Sequence, residues 1–241
     1  MSDREGDEPS KAPREIAGMF DAIAGRYDFL NHLLSAGIDR RWRRRAIRSL
    51  ALTGRERVLD LCTGTADLAI AARTARPGAA RVLGVDFAGA MLAIGQDKIR
   101  RAALERTVTL VRGDATRVPA APGSIDAVTI AFGIRNVQDP AAAAAEIVRV
   151  LKPGGRVAIL EFAVPPSPVV RGLYLWYFKH ILPAIGRVVS RHRAAYTYLP
   201  ASVGAFAAPD EFVKILRHAG LREVSSVPLT FGIVFLYTGC R

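Results

Sequence analysis

Two cysteines, Cys62 and Cys240, are all that the 241 residues contain. Cys62 lies in an apolar run with no second cysteine near it, which excludes a disulfide scaffold and a CxxC metal site. No stretch of about 18 apolar residues occurs, so no spanning helix is expected. The opening MSDREGDEPSKAPR is polar and lacks an apolar signal core, which argues against secretion. Acidic residues are outnumbered, 22 Asp+Glu against 34 Lys+Arg, for a formal net charge of +12. That balance favours contact with a polyanion, either a nucleic acid or an anionic membrane surface. An arginine-rich proteome gives the same excess with no polyanion involved. The expected compartment is the cytoplasm, with peripheral placement at the inner face of the plasma membrane as an extension of the charge argument.

What the chain does have is apolar content. Half of its residues are hydrophobic, enough for a large core. Residues 1–14 read as a disordered tail. A stripe of Ile16, Phe20, Ile23, Tyr27, Leu30 and Leu34, spaced by threes and fours, marks a helical face that Gly25 weakens. Arg40, Arg41, Arg43, Arg44, Arg45 and Arg48 then surround Trp42 on a second expected helix. They form either a solvated face or a patch for phosphate or lipid headgroups. Residues 15–53 are thus expected to be a helical cap, and 54–241 the main domain.

From Val58 the pattern alternates. Val58–Cys62, Val82–Phe87, Val108–Arg112, Ala127–Phe132 and Val157–Phe162 are short apolar runs, with Ala-rich helical stretches near 66–76, 89–103 and 140–151 between them. Buried strands separated by crossover helices imply a parallel sheet covered on both faces. Lys152-Pro153-Gly154-Gly155 should stop the third helix and turn the chain into the next strand. Residues 163–207 break the alternation with Pro165, Pro166 and Pro168 and the apolar run Leu173 to Phe178, an insertion suited to a lid or pocket wall. One helix (Asp210–Ala219) and two strands (near 223–229 and 232–238) close the chain. No internal repeat is evident.

The sharpest local signal is Val58-Leu59-Asp60-Leu61-Cys62-Thr63-Gly64-Thr65-Ala66-Asp67. A buried strand runs into a small-residue turn before a helix. Gly64 lets backbone approach a ligand, and Thr65 with the first helical N–H groups offers hydrogen bonds. The GxGxxG of dinucleotide sites is absent. Asp86 ends the second strand, 22 positions after Gly64, where a carboxylate accepts both hydroxyls of a ribose or else caps the next helix. Gly113-Asp114-Ala115 follows the third strand, as a polar contact to an adenine edge would. Three such features at successive carboxyl ends of parallel strands point to an adenosine ligand.

The segments VLDLCTGTADLAI, GVDFAGAML, GDATRVP, TIAFGIRNV, RVLKPGGRVAILEF and YTYLPASVGAF closely resemble the ubiquinone/menaquinone biosynthesis C-methyltransferase family, from about Met19 to the last strand. The glycine turn and LKPGG are common to many class I methyltransferases. FGIRNV, RYDFLNHLLS and YxYLPxS are more particular to quinone methylation. The resemblance implies a class I, Rossmann-like three-layer α/β sandwich. Its sheet is seven-stranded and mostly parallel, with N-terminal helices and a helical insertion. It implies S-adenosyl-L-methionine as cofactor, contacted by Thr65, Asp86, Asp114 and Ala115 beside Gly64. It also implies a polyprenylated quinol as substrate. The family usually has Gly where this chain has Ala66, so the added methyl should narrow the cofactor turn. A serine often precedes FG where Ala131 stands here.

The implied reaction moves a methyl group from a sulfonium to a ring carbon of a quinol. A phenol of pKa about 10 is mostly neutral at pH 7, so the enzyme must favour the phenolate or take its proton during attack. Arg135 is the expected stabiliser of the phenolate or organiser of an accepting water, with Asn136 orienting the ring or a hydroxyl. The alternative is a structural salt bridge for Arg135 and a turn cap for Asn136. Tyr27 and Asp28 are expected to close the pocket, and His180 is a candidate base or a packing residue. The stripe Phe20 to Leu34 and the run Leu173 to Phe178 are candidate walls for a prenyl tail. Demethylmenaquinol is preferred over a 2-polyprenyl-6-methoxy-1,4-benzoquinol, on the short polar N-terminus and the compact end at Arg241. A nucleic-acid methyltransferase would need an Asn/Asp-Pro-Pro-Tyr motif after the fourth strand, which FGIRN is not, so no nucleic-acid partner is expected. A non-catalytic cofactor-binding assembly protein is the remaining rival. The subunit number is left open, and a homodimer is compatible with the sequence.

Overall fold

The computed structural model describes residues 16–22, 24–25, 35, 37–177 and 193–241. The expected tail at 1–14 lies outside them, as do Ile23, Leu30, Leu34 and Phe178. Residues 16–22 are helical (α1). There follow α2 (Asp39–Ser49), β1 (Arg57–Leu61), α3 (Asp67–Thr74), β2 (Arg81–Asp86), α4 (Gly89–Arg101), β3 (Val108–Arg112) and β4 (Ile125–Ala131). A 3-10 turn at Ile134–Asn136 leads to α5 (Pro140–Val150), β5 (Leu151–Phe162), α6 (Pro168–Trp176), α7 (Arg193–Ala205) and α8 (Pro209–His218). The chain closes with β6 (Arg222–Leu229), a 3-10 turn at Thr230–Gly232, and β7 (Val234–Cys240).

The seven strands form one sheet in the order β3-β2-β1-β4-β5-β7-β6. Pairings among β1 to β5 are parallel, and β7 runs antiparallel to both β5 and β6. Because successive side chains point to opposite faces, the strands feed two cores. Leu59, Val157 and Ile159 pack under α5 and α8 with Ile147, Phe212 and Leu216. Val58, Ala158 and Leu160 pack on the other face with Trp42, Ile47, Leu68 and Ile99. This two-sided burial is why the strands read as continuous apolar runs.

Local chemistry sets the element ends. Asp139 caps α5, its Oδ1 accepting from the N–H groups of Ala141 (3.0 Å) and Ala142 (2.9 Å), with Pro140 at the first helical position. The LKPGG stretch stops α5 as expected, but β5 already begins at Leu151. Leu151 pairs with Ile125 and Arg156 with Ala127, so Lys152 to Gly155 bulge out between two paired positions. Among its described residues the 163–207 insertion contains helices α6 and α7, with Pro200 inside the second. Among the described residues no helix is long and apolar enough to cross a membrane. Crossovers from β1 and β4 leave in opposite directions, and a crevice opens between their carboxyl ends, where open α/β sheets bind ligands.

Candidate active site

The turn after β1 places three residues in left-handed conformation within five, Cys62 (φ 53°), Gly64 (φ 54°) and Ala66 (φ 65°). What holds it is the carboxylate below. Asp60 is buried and accepts from Thr63 Oγ1 and Thr129 Oγ1, both at 2.6 Å. Burial outweighs those two bonds and pushes the Asp60 carboxyl up to about 6. Above it, Gly64 N donates to Asp86 Oδ2 (2.8 Å) and Ala88 N to Asp86 Oδ1 (2.9 Å). Asp86 thereby ties the glycine turn to the start of α4. Each carboxylate oxygen has acceptor capacity beyond one bond, so helix capping and ligand binding are compatible roles. Burial raises the Asp86 carboxyl from its usual range.

Thr65 is buried, and its Oγ1 accepts from Lys98 Nζ at 2.9 Å. Lys98 also pairs with Asp67 at 2.6 Å, and Asp67 with Arg43 at 3.6 Å. These ion pairs fasten α2 and α4 to the first turn of α3. The Ala66 methyl lies against Gly95 of α4, where a Cβ would stand 3.1 Å from it. After β3, Asp114 Oδ1 accepts from Thr116 N (2.8 Å) and Thr116 Oγ1 (2.9 Å), and Ala115 is buried beside it.

Two adjoining lobes of one cleft bring these strand ends together. One, of about 350 Å3 with its opening included, is lined by Phe20, Gly64, Asp86, Met91 and Phe132 among others. The second, of about 680 Å3 with its opening included, is lined by Asp114, Ala115, Thr116, Gln138 and Asp139 among others. Cys62, Phe87 and Asn136 line both. At the N-terminal side, Asp21 Oδ1 accepts from Ala90 N (2.8 Å), and Ala24 packs with Met91. That contact brings Phe20 over the cleft. Tyr27, Asp28 and His180 lie outside the described residues.

The FGIRN segment follows β4. Phe132 (φ 60°) stacks on Phe162 with ring centroids 4.5 Å apart, and Trp42 meets both edge-on. Asn136 lines both lobes of the cleft, and Arg135 lines neither. Its guanidinium is buried against Glu161, with Nη1 2.7 Å from Oε1, donates to the Phe132 carbonyl, and reaches Ser202 Oγ at 3.3 Å through Nε. The Arg135 backbone N–H donates to the second Glu161 oxygen at 3.2 Å. A guanidinium turned into the sheet end in this way holds the loop; it does not line either lobe.

Of the two expected prenyl walls, Phe20 lines the cleft. Among the described residues of the other, Leu173, Leu175 and Trp176 are exposed and Tyr174 is buried.

A family model for the ubiE/COQ5 methyltransferase family matches residues 8–241. The chain belongs to that family.

Individual relatives agree with this membership. The chain is 49% identical over 223 residues to the ubiquinone/menaquinone biosynthesis C-methyltransferase UbiE of Syntrophotalea carbinolica, covering 92% of each. It is 46% identical to the demethylmenaquinone methyltransferase of Thermus thermophilus, covering 92% of this chain and all of that protein. A SAM-dependent methyltransferase from Aquifex aeolicus shares the fold, with TM-score 0.59 and 17% identity over 82% of this chain and 88% of that one.

The residues of this methyltransferase fit an adenosyl sulfonium. Among the described residues lining the two lobes are three carboxylates, Asp86, Asp114 and Asp139, and no Lys or Arg. That charge pattern suits a cationic methyl donor and the two hydroxyls of a ribose. At Gly64 a Cβ would meet nothing within 4 Å, so backbone lies open to a ligand there.

Sequence reasoning passed over Glu161, and it noted Tyr198 and Ser202 only within the YxYLPxS segment, with no role for either. Glu161 carried a signal. A carboxylate in the otherwise apolar run VAILEF, buried on a central strand, must find a cation.

Proposed function

We propose that this chain methylates a ring carbon of a prenylated quinol with S-adenosylmethionine, and that its substrate is demethylmenaquinol. The observation that carries the reading is the acidic cleft at the strand ends, with Asn136 shared between its two lobes. In this reading Asp86, Asp114 and Ala115, which line the cleft, hold the cofactor, with Thr65 in the turn beside Gly64. Bound there, S-adenosylmethionine would supply an electrophilic methyl group to the ring carbon in exchange for one ring proton, leaving as the neutral thioether.

The protein's part is to exclude water, align the ring carbon and stabilise the phenolate oxygen. In this reading Asn136, which lines both lobes, meets that oxygen. Arg135 supports it from behind through Glu161. The described residues of the 15–53 segment are read as a cap on the cofactor side, on the Asp21–Ala90 bond and Phe20 at the cleft.

The test is labelled cofactor offered with both quinols in detergent. Methyl transfer to the naphthoquinol is the expected result. Transfer to the methoxybenzoquinol alone would move the assignment to ubiquinone synthesis. Tight cofactor binding with transfer to neither would favour the assembly-protein reading.

One surface observation supports peripheral contact with an anionic membrane. Val164, Val169, Leu173, Leu175, Trp176 and Phe231 are the exposed large hydrophobic side chains among the described residues, and they fall in two neighbouring stretches. Ala163 N donates to Ile233 O at 3.0 Å, joining those stretches. Trp42 Nε1 donates to Thr230 Oγ1 at 2.9 Å, which brings α2 alongside, with Arg40, Arg41, Arg44, Arg45 and Arg48 exposed. Apolar side chains beside arginines match a bilayer interface, where a prenylated substrate resides.

A further inference from the structure

Tyr198 of α7 and Asn136 are 62 positions apart in sequence, and the phenol O–H of Tyr198 donates to Asn136 Oδ1 at 3.0 Å. One turn further along α7, Ser202 Oγ stands 3.3 Å from Arg135 Nε. The helix therefore grips two consecutive residues of the Ile134–Asn136 turn with two side chains on one face. Only one of those two residues, Asn136, lines the cleft.

An amide is two-faced. Its oxygen only accepts and its NH2 only donates, so the orientation decides whether Asn136 attracts or repels an anionic oxygen. With Oδ1 occupied by the Tyr198 hydroxyl, the NH2 is the end left for the cleft. Among the described lining residues, few other side chains can donate. Cys62 is a weak donor, Thr116 spends its hydroxyl on Asp114 (2.9 Å), and Gln138 is exposed. Burial raises the Tyr198 phenol above its usual range, which keeps its proton in place as a donor through neutral pH.

We propose that Tyr198 is a positioning residue that locks the Asn136 amide with its N–H groups towards the cleft, making Asn136 the hydrogen-bond donor to the phenolate oxygen of the substrate. The proposal rests on the quinol reading above. It assigns the YxYLPxS segment a task, with its second tyrosine setting the amide and its serine, Ser202, steadying Arg135.

The test is Tyr198→Phe, which removes one oxygen and leaves the ring. In the protein without cofactor, the Asn136 side-chain amide resonance should shift. Cofactor affinity by calorimetry should stay within about twofold, because no cofactor contact changes. With quinol, kcat should fall about tenfold, the factor that one neutral hydrogen bond carries, with KM changing less. The acid limb of the kcat–pH profile should move to higher pH, since a less stabilised phenolate forms at higher pH. In an Asn136→Ala background the same substitution should cost nothing further. An unmoved amide resonance, an unmoved pH profile, or a full tenfold loss in the Asn136→Ala background would each overturn the proposal. If the unaltered enzyme methylates neither quinol, the substrate reading fails, and the amide resonance still decides whether Tyr198 holds Asn136.

Discussion

Glu161 and Arg135 meet at 2.7 Å, neither side chain more than 5% exposed, at the point where β5 passes behind the FGIRN turn. The pair fixes the backbone as well, because the second carboxylate oxygen accepts from Arg135 N and the first also accepts from Phe162 N (2.8 Å). Arg135 stacks over the Phe162 ring at 5.6 Å. Arginine at this position is thus a fixture of the loop that presents Asn136.

Removing one partner strands the other. Arg135→Ala should lower stability by about 3–5 kcal/mol, the range for leaving a buried charge unpaired. Combining it with Glu161→Gln should recover a large part of that loss. Urea unfolding of the three variants measures both effects. An Arg135→Ala protein of undiminished stability would show that the pair is not a structural fixture.

Asp60 gives the fold a pH signature. Its carboxyl is raised to about 6 in the folded protein from an ordinary 3.8, so the native state holds this proton more tightly than the unfolded chain. The associated stability is complete below the ordinary value and is lost as pH rises through the raised one. Asp60→Asn should therefore gain on the parent by up to about 3 kcal/mol between pH 4 and pH 7.5. The Thr63 and Thr129 hydroxyls can turn to serve an amide, so the comparison isolates the charge. Denaturant unfolding at both pH values checks it.

Gly95 is matched to Ala66. A methyl at 95 would stand 2.9 Å from Leu110 Cδ1, 3.1 Å from the Ala66 methyl and 3.2 Å from the Thr65 carbonyl carbon. Gly95→Ala should cost about 1–3 kcal/mol of stability by overpacking and weaken cofactor binding through the displaced Thr65. Adding Ala66→Gly should restore part of both, since the left-handed backbone there accepts glycine without strain. Thermal melts and calorimetry on the two variants report the recovery.

Phe231 is 80% exposed on a left-handed backbone (φ 58°), an expensive way to display an aromatic ring. Phe231→Ser should reduce binding to vesicles containing anionic lipid by several-fold, given the interfacial role of a single large apolar side chain. Turnover of a short-chain, detergent-free quinol should be unchanged. Cosedimentation that is the same for both proteins would remove this surface from membrane contact.

Much of the fold was legible because strand and helix signals are local. β3 spans Val108–Arg112 in both readings, and β1 and β2 differ by one residue at each end. The start of β5 was missed by six residues, because a Pro-Gly-Gly stretch reads as a stop. Only the pairing of Leu151 with Ile125 shows that the ladder resumes across it. In the site, Gly64, Asp86 and Asp114 were placed by their positions at successive strand ends, which the alternation alone supplies.

The amino-acid order by itself determined the parallel sheet, the glycine turn and the acidic strand ends, since hydrophobic period and turn chemistry act over a few neighbouring residues. Only the tertiary structure decided which polar groups meet. Arg135 finds Glu161 from 26 positions away, and Asn136 finds Tyr198 from 62. A buried charge or amide takes the nearest partner that packing brings, and that distance is set by two faces of a sheet closing on their helices.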